Sequence, residues 1–161
     1  MENTARLPEA LHPGADNASV WPIRVYYEDT DAGGIVFYAN YLKFFERART
    51  EWLRGCGIDQ QRLAATTGTL FVVRSTAVDY RAPARLDEVL TVVSRVERLG
   101  RASVHFAQAA WRGDALLATG NVRVASVEET NLRPIPIPDD VYAALRRGPG
   151  IAQGAVSTAT R

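Results

Sequence analysis

One change of hydrophobic period constrains this chain more than any other feature. Over residues 38–54, Tyr38, Tyr41, Leu42, Phe45, Ala48 and Trp52 recur at helical spacing, and Phe44 and Leu53 widen the apolar stripe beyond a single face. A helix apolar on that many sides has to be enclosed rather than laid on a surface. The chain then changes character. Residues 70–80, 88–96, 102–111 and 115–127 are rich in valine, alanine, threonine and aromatics, with turn signals at Pro83, Leu99-Gly100 and Gly113-Asp114 between them. Ahead of the helix, Val20, Trp21, Ile23, Val25, Tyr26 and Tyr27 predict a further strand over residues 20–27. Strands joined by short turns imply an antiparallel meander. One helix does not cover a flat sheet of that size, but a strongly curved sheet wraps one helix. Its outer face and edges then need cover, which an oligomer would supply.

The remaining segments are minor. A short helix is expected over residues 59–65, ending near Gly68. Pro134, Pro136 and Pro138 enforce an extended entry into a final helix, whose ends carry Asp139-Asp140 and Arg146-Arg147 in the sense the helix dipole favours. The expected division is a mobile arm over residues 1–19, one folded domain over 20–147 and a disordered tail over 148–161.

With 161 residues, 47% hydrophobic and 23% charged, the chain has the balance of one globular domain and not of a disordered segment. A net charge of +1 gives no reason to expect nucleic acid or an anionic membrane as partner. Cys56 is the single cysteine, so neither an internal disulfide nor a multi-thiolate zinc site is available. His12 and His105 are the only histidines, and no metal site is expected. The first twenty residues carry Glu2, Glu9 and Asp16 and no apolar core, and no run is long enough to span a bilayer. A reducing cytoplasm is the expected compartment.

Chemistry concentrates between Val25 and Arg54. Glu28, Asp29 and Asp31 share one turn, Gly33 and Gly34 follow at once, and the long helix begins just beyond. Glycines let backbone approach a ligand, and free N–H groups of a helix's first turn stabilise an oxygen that becomes negative. A nearby carboxylate can attack a carbonyl carbon or deprotonate a water. Spacing alone leaves two uses open for such a carboxylate: helix capping or catalysis. A calcium loop does not fit, because Gly33 stands where a third ligand belongs and Asn40 where the bidentate glutamate would be. Neither a dinucleotide fingerprint nor a P-loop fits either.

The stretch RVYYEDTDAGGIVFYANYLKFFERARTEWLR, with FVVRSTAVDYRAPARLDE, the turn RLGRAS and the RPIPIP entry to the last helix, closely resembles the hotdog-fold thioesterases of the 4-hydroxybenzoyl-CoA thioesterase type. The likeness is greatest to the Tol-Pal-associated acyl-CoA thioesterases and runs from about Trp21 to Arg147. It implies an α+β hotdog fold, a curved antiparallel five-stranded sheet wrapped around one long central helix. It implies hydrolysis of an acyl-CoA thioester with no cofactor, and a homodimer or homotetramer with sites between subunits. The family's catalytic aspartate falls on Asp31, as nucleophile or general base. Its carbonyl-polarising backbone N–H falls near Tyr38, where many Tol-Pal-associated members carry histidine, so the backbone role survives and an imidazole role does not. Gly33, Gly34 and Asn40 are carried over as substrate contacts, with capping of the helix the preferred use of Asn40. Arg101 and Ser103 are carried over as coenzyme A contacts.

Two other readings stand beside this one. A hotdog hydratase or dehydratase would pair an acid with a histidine, which this segment lacks. A non-catalytic, envelope-associated binding protein on the same scaffold would have no need of Asp31 with Gly33 and Gly34.

Overall fold

The computed structural model of the chain describes residues 9–156. Its sheet has five strands: β1 (Ser19–Arg24), β2 (Thr69–Tyr80), β3 (Val89–Leu99), β4 (Ser103–Arg112) and β5 (Ala115–Glu128). They lie in the order β1-β3-β4-β5-β2, and every named pair is antiparallel. The expected meander holds for β3, β4 and β5 alone. β1 and β2 occupy opposite edges, because the chain between them crosses the sheet as helix α1 (Asn40–Gly55) and the shorter α2 (Gln60–Thr67). The last helix is α3 (Asp139–Arg146).

Helix α1 buries Tyr41, Phe44, Phe45, Ala48, Trp52 and Leu53, as its wide apolar stripe requires. Its first half packs into a cluster with Ile23, Val25, Leu90, Val92 and Leu117. Its second half packs with Val96, Leu99, Phe106, Val122 and Leu145. Gly120 of β5 is what lets the helix come so close: a Cβ there would stand 2.8 Å from the Phe45 ring. The helix starts at Asn40, two residues later than the apolar period suggested, and Gly55 is its last residue. Gly57, at φ +83°, makes the left-handed turn, and Ile58 donates its N–H to the Leu53 carbonyl.

Both ends of the chain differ from expectation. Leu11 is buried on the far face of the sheet against Val93, Ala107, Ala109 and Trp111, and the Trp111 indole donates to the Leu11 carbonyl at 2.8 Å. The arm thus covers part of the outer face that an oligomer had been expected to cover, because that face carries a small apolar cluster. Residues 1–8 of the expected arm lie outside the described residues. The tail is also packed: Ile151 and Val156 bridge Val96 and Leu99 in parallel, beyond the point where β1 leaves the edge of β3. Trp52 donates to the Pro149 carbonyl at 2.6 Å. An open strand end and an unpaired indole N–H hold a segment that composition alone reads as loose. Residues 157–161 lie outside the described residues.

Candidate active site

Residues 30–36 form a small hairpin between β1 and α1. Thr30 bridges Val36, the Asp31 N–H donates to the Ile35 carbonyl at 3.0 Å, and the Gly34 N–H donates to the Asp31 carbonyl at 2.9 Å. Asp31 sits at the tip and is exposed. Its Oδ1 accepts the Gly33 N–H at 2.8 Å, and among the described residues Oδ2 accepts nothing. Gly34 is needed for the turn itself, at φ +75°. A Cβ on Gly33 would lie 3.1 Å from Asp31 Oδ1 and crowd the carboxylate.

Asp29 and Asp31, adjacent in sequence pattern, have opposite environments. Asp29 is 3% exposed. Its Oδ2 accepts the Tyr26 N–H at 2.8 Å and its Oδ1 accepts the Asn40 side-chain amide at 2.9 Å. Its backbone carbonyl accepts the Phe37 N–H at 2.9 Å. Asp29 therefore ties the end of β1, the hairpin and the start of α1 together. Asn40 does not cap the helix: the N-cap position is Ala39, with no side-chain bond, and the Asn40 amide is turned into the core toward Asp29.

Tyr38 stands just before the helix and is 64% exposed. Its carbonyl accepts the Tyr80 hydroxyl at 2.7 Å, which fixes the orientation of the peptide that follows. Among the described residues the N–H groups of Tyr38 and Ala39 have no acceptor, as expected of a helix entrance. Phe37, Tyr38, Tyr41 and Tyr80 make an aromatic group here, with ring centroids 4.7 Å apart for Phe37–Tyr38 and 5.5 Å for Tyr41–Tyr80. Burial, then the neighbouring Tyr38, pushes the Tyr80 phenol above its ordinary value, so it remains a donor. Tyr80 was not singled out from the sequence; its place at the end of an edge strand carries no signal without the register.

Arg101 and Ser103 are at the other end of the molecule. They lie in the β3–β4 turn, where Leu99 faces Val104, while the hairpin of Asp31 bridges Arg85 near the start of β3. The two ends are separated by the length of β3, about 33 Å at strand rise. Arg101 is largely exposed, 4.0 Å from Asp139 and 5.9 Å above the Tyr142 ring. Cys56 is half-buried, and burial pushes its thiol up to about 11, which leaves it unreactive at neutral pH. His105 lies on the outer face, held below the ordinary histidine value by burial, then Arg123 and Arg98. Among the described residues no three of His, Cys, Asp and Glu converge to hold a metal ion. No helix among them is long and apolar enough to cross a membrane.

This geometry offers a carboxylate with one free oxygen, a few residues along the chain from unoccupied backbone donors that stand beside an aromatic group. Comparison with known proteins identifies the family. The family model described as "Thioesterase superfamily" matches residues 33–119. The acyl-CoA thioesterase YbgC of Haemophilus influenzae is 44% identical over 129 residues, covering 80% of this chain and 95% of that protein. Among solved structures, a probable thioesterase from Bartonella henselae is 35% identical with a TM-score of 0.72, covering 75% of this chain and 99% of that one. A 4-hydroxybenzoyl-CoA thioesterase solved with 4-hydroxybenzoyl-CoA has a TM-score of 0.75 at 21% identity, covering 80% and 99%, which speaks for the fold.

Proposed function

The chain belongs to the thioesterase superfamily and is a hotdog-fold thioester hydrolase, and from that premise we propose that it hydrolyses acyl-CoA with Asp31 as the reacting carboxylate. The observation that supports the assignment is the contrast between the two aspartates. Asp29 spends both oxygens on the fold, while Asp31 keeps Oδ2 free at an exposed tip braced by Gly33.

In the reaction, the thioester carbonyl oxygen points at the N–H groups near Tyr38, whose peptide the Tyr80 hydroxyl holds in place. Asp31 either attacks the carbonyl carbon, expelling the coenzyme A thiolate and leaving a mixed anhydride for water to open, or takes a proton from the attacking water. Both routes release the free acid and coenzyme A. Turnover of an acyl-CoA panel by wild type and Asp31→Asn, with unfolding midpoints measured alongside, tests the assignment. Near-normal turnover by Asp31→Asn at equal stability refutes it.

The reading extends to assembly and compartment: a homodimer or homotetramer in the cytoplasm. Edge strand β2 is largely exposed, and an open sheet edge is a surface that a second copy would cover. Arg101 and Ser103, an entire strand away from Asp31, contribute to binding the coenzyme A at that carboxylate only if another copy supplies them. Sedimentation as a monomer at micromolar concentration would remove this part of the proposal. Gly33 and Gly34 act through the shape of the hairpin, and Asn40 through Asp29. A Tol-Pal-linked binding role without catalysis gains no support from any feature of the site.

A further inference from the structure

Arg49 is a buried cation with no carboxylate of its own. It is 8% exposed, and its Nη1 donates to Gln108 Oε1 at 2.9 Å. Gln108 is committed elsewhere as well, donating to the Phe45 carbonyl at 3.0 Å and the Ser94 hydroxyl at 2.8 Å. Among the described residues no acidic oxygen lies within 4.0 Å of the Arg49 guanidinium. Glu46, one turn earlier, accepts the Thr50 hydroxyl at 3.0 Å and acts on Arg49 only through space, its charge partly offsetting the lowering of the guanidinium pKa by burial. A guanidinium buried this far with one neutral acceptor has donors to spare, and burying such a charge with no carboxylate in contact is unfavourable.

Those donors border open space. Arg49 lines two adjoining cavities of about 340 Å³ and about 90 Å³, which share Glu46, Arg49 and Val73. The larger runs between α1 and β2, walled by Leu42, Phe45, Thr76 and Val122, and β2 breaks register between Val73 and Ser75 beside it. Tyr38, Leu42, Phe45 and Arg49 follow one another at helical spacing, so the groove begins one turn from the Tyr38 peptide. From Tyr38 to Arg49 the axis advances roughly 16 Å at the rise of an α-helix.

We propose that this groove takes the acyl chain of the substrate and that Arg49 binds a carboxylate at the far end of that chain. The inference rests on the reading of Asp31 as the site of thioester cleavage. It deepens that reading by naming the acyl class: long chains with an anionic terminus. A benzoyl-sized group stops well short of the guanidinium.

The test compares tetradecanedioic acid with tetradecanoic acid by calorimetry, on wild type, Arg49→Gln and Arg49→Lys, with urea unfolding and sedimentation of each. Each acid is presented as its non-hydrolysable coenzyme A amide, which fixes the head end and leaves only the far carboxylate to differ, since a free monoacid would be able to seat its single carboxylate on Arg49. Wild type should prefer the diacid on the order of tenfold, the scale of one charge-assisted hydrogen bond. Arg49→Gln should abolish the preference while binding the monoacid as before, and Arg49→Lys should keep part of it. The corresponding acyl-CoA pair should show the same ratio in kcat/KM. Binding is read without turnover, so a failure of acyl-CoA hydrolysis counts against the Asp31 reading and leaves the Arg49 comparison intact. Equal affinity of wild type for the two acids overturns the proposal. So does a wild type without preference whose Arg49→Gln variant loses self-association, since the guanidinium then pairs with a carboxylate of a second copy. Should Arg49→Gln fail to fold, wild type and Arg49→Lys decide.

Discussion

Replacing Asp29 with alanine removes the acceptor of two hydrogen bonds, 2.8 Å from the Tyr26 N–H and 2.9 Å from the Asn40 amide. Asn40 is 7% exposed, so water does not take over its bond, whereas Tyr26 lies at the surface and is partly rescued. An unmet buried donor costs about 1–3 kcal/mol, which puts the loss for Asp29→Ala at about 2–4 kcal/mol. For a domain of this size each kcal/mol lowers Tm by roughly 2–4 °C, so the melt should fall on the order of 10 °C. Turnover should fall as well, because the hairpin bearing Asp31 hangs from the same residue; a displacement of about 1 Å at a reacting group costs on the order of a hundredfold. Asp29→Asn should be milder, near 1 kcal/mol by the handful of contacts retained. Its oxygen still accepts the Tyr26 N–H, and Asn40 can turn its own amide to accept from the new one. Asp31→Asn supplies the contrast. Its oxygen still accepts the Gly33 N–H at the surface, so stability should stay within about 0.5 kcal/mol while turnover is lost. Urea unfolding followed by tryptophan fluorescence, together with acyl-CoA turnover, reads both quantities. An Asp29→Ala variant with the wild-type urea midpoint, or an Asp31→Asn variant destabilised as much as Asp29→Ala, refutes the division of labour.

Gly120→Ala should destabilise by about 1–3 kcal/mol through overpacking, since its Cβ would meet the fully buried Phe45 ring at 2.8 Å; the urea midpoint checks this. Cys56, with its thiol pushed up to about 11, has about one thiolate in a thousand at pH 8, so iodoacetamide should modify the folded chain at least about a hundredfold more slowly than free cysteine. His105 is held below the ordinary histidine value by burial, Arg123 and Arg98, so the unfolded chain binds its proton first as pH falls. Stability should therefore be full above an ordinary histidine value of about 6.5 and decline as pH drops through it toward the lowered folded value. In His105→Gln this part of the decline should vanish from the pH dependence of unfolding.

The elements were legible in the sequence, because periodicity is a local record of burial. The helix apolar on several sides and the β-branched runs after it required a sheet wrapped round a helix, and the strands appear within a few residues of where the pattern put them. The turn holding Asp31 was legible too, since the adjacent Gly33 and Gly34 mark it in contiguous residues, whereas its closure into a hairpin by Thr30 and Val36 was not. What local pattern does not carry is register and which chain ends meet. A meander was the natural reading of successive strands, yet β2 pairs at the far edge with β5, because the crossing made by α1 is a property of the whole chain. The arm and tail read as loose from their composition, but Leu11 and Ile151 find an apolar face and an open strand end that exist only once the sheet is built. The same holds for the site. Asp29 and Asp31 look alike two residues apart, and burial beside Asn40 separates the clamp from the exposed carboxylate. Arg101 is carried to the opposite end of β3 from Asp31. Arg49, unremarkable in a charged helical stretch, becomes a buried cation only when Gln108 and the α1–β2 groove close around it.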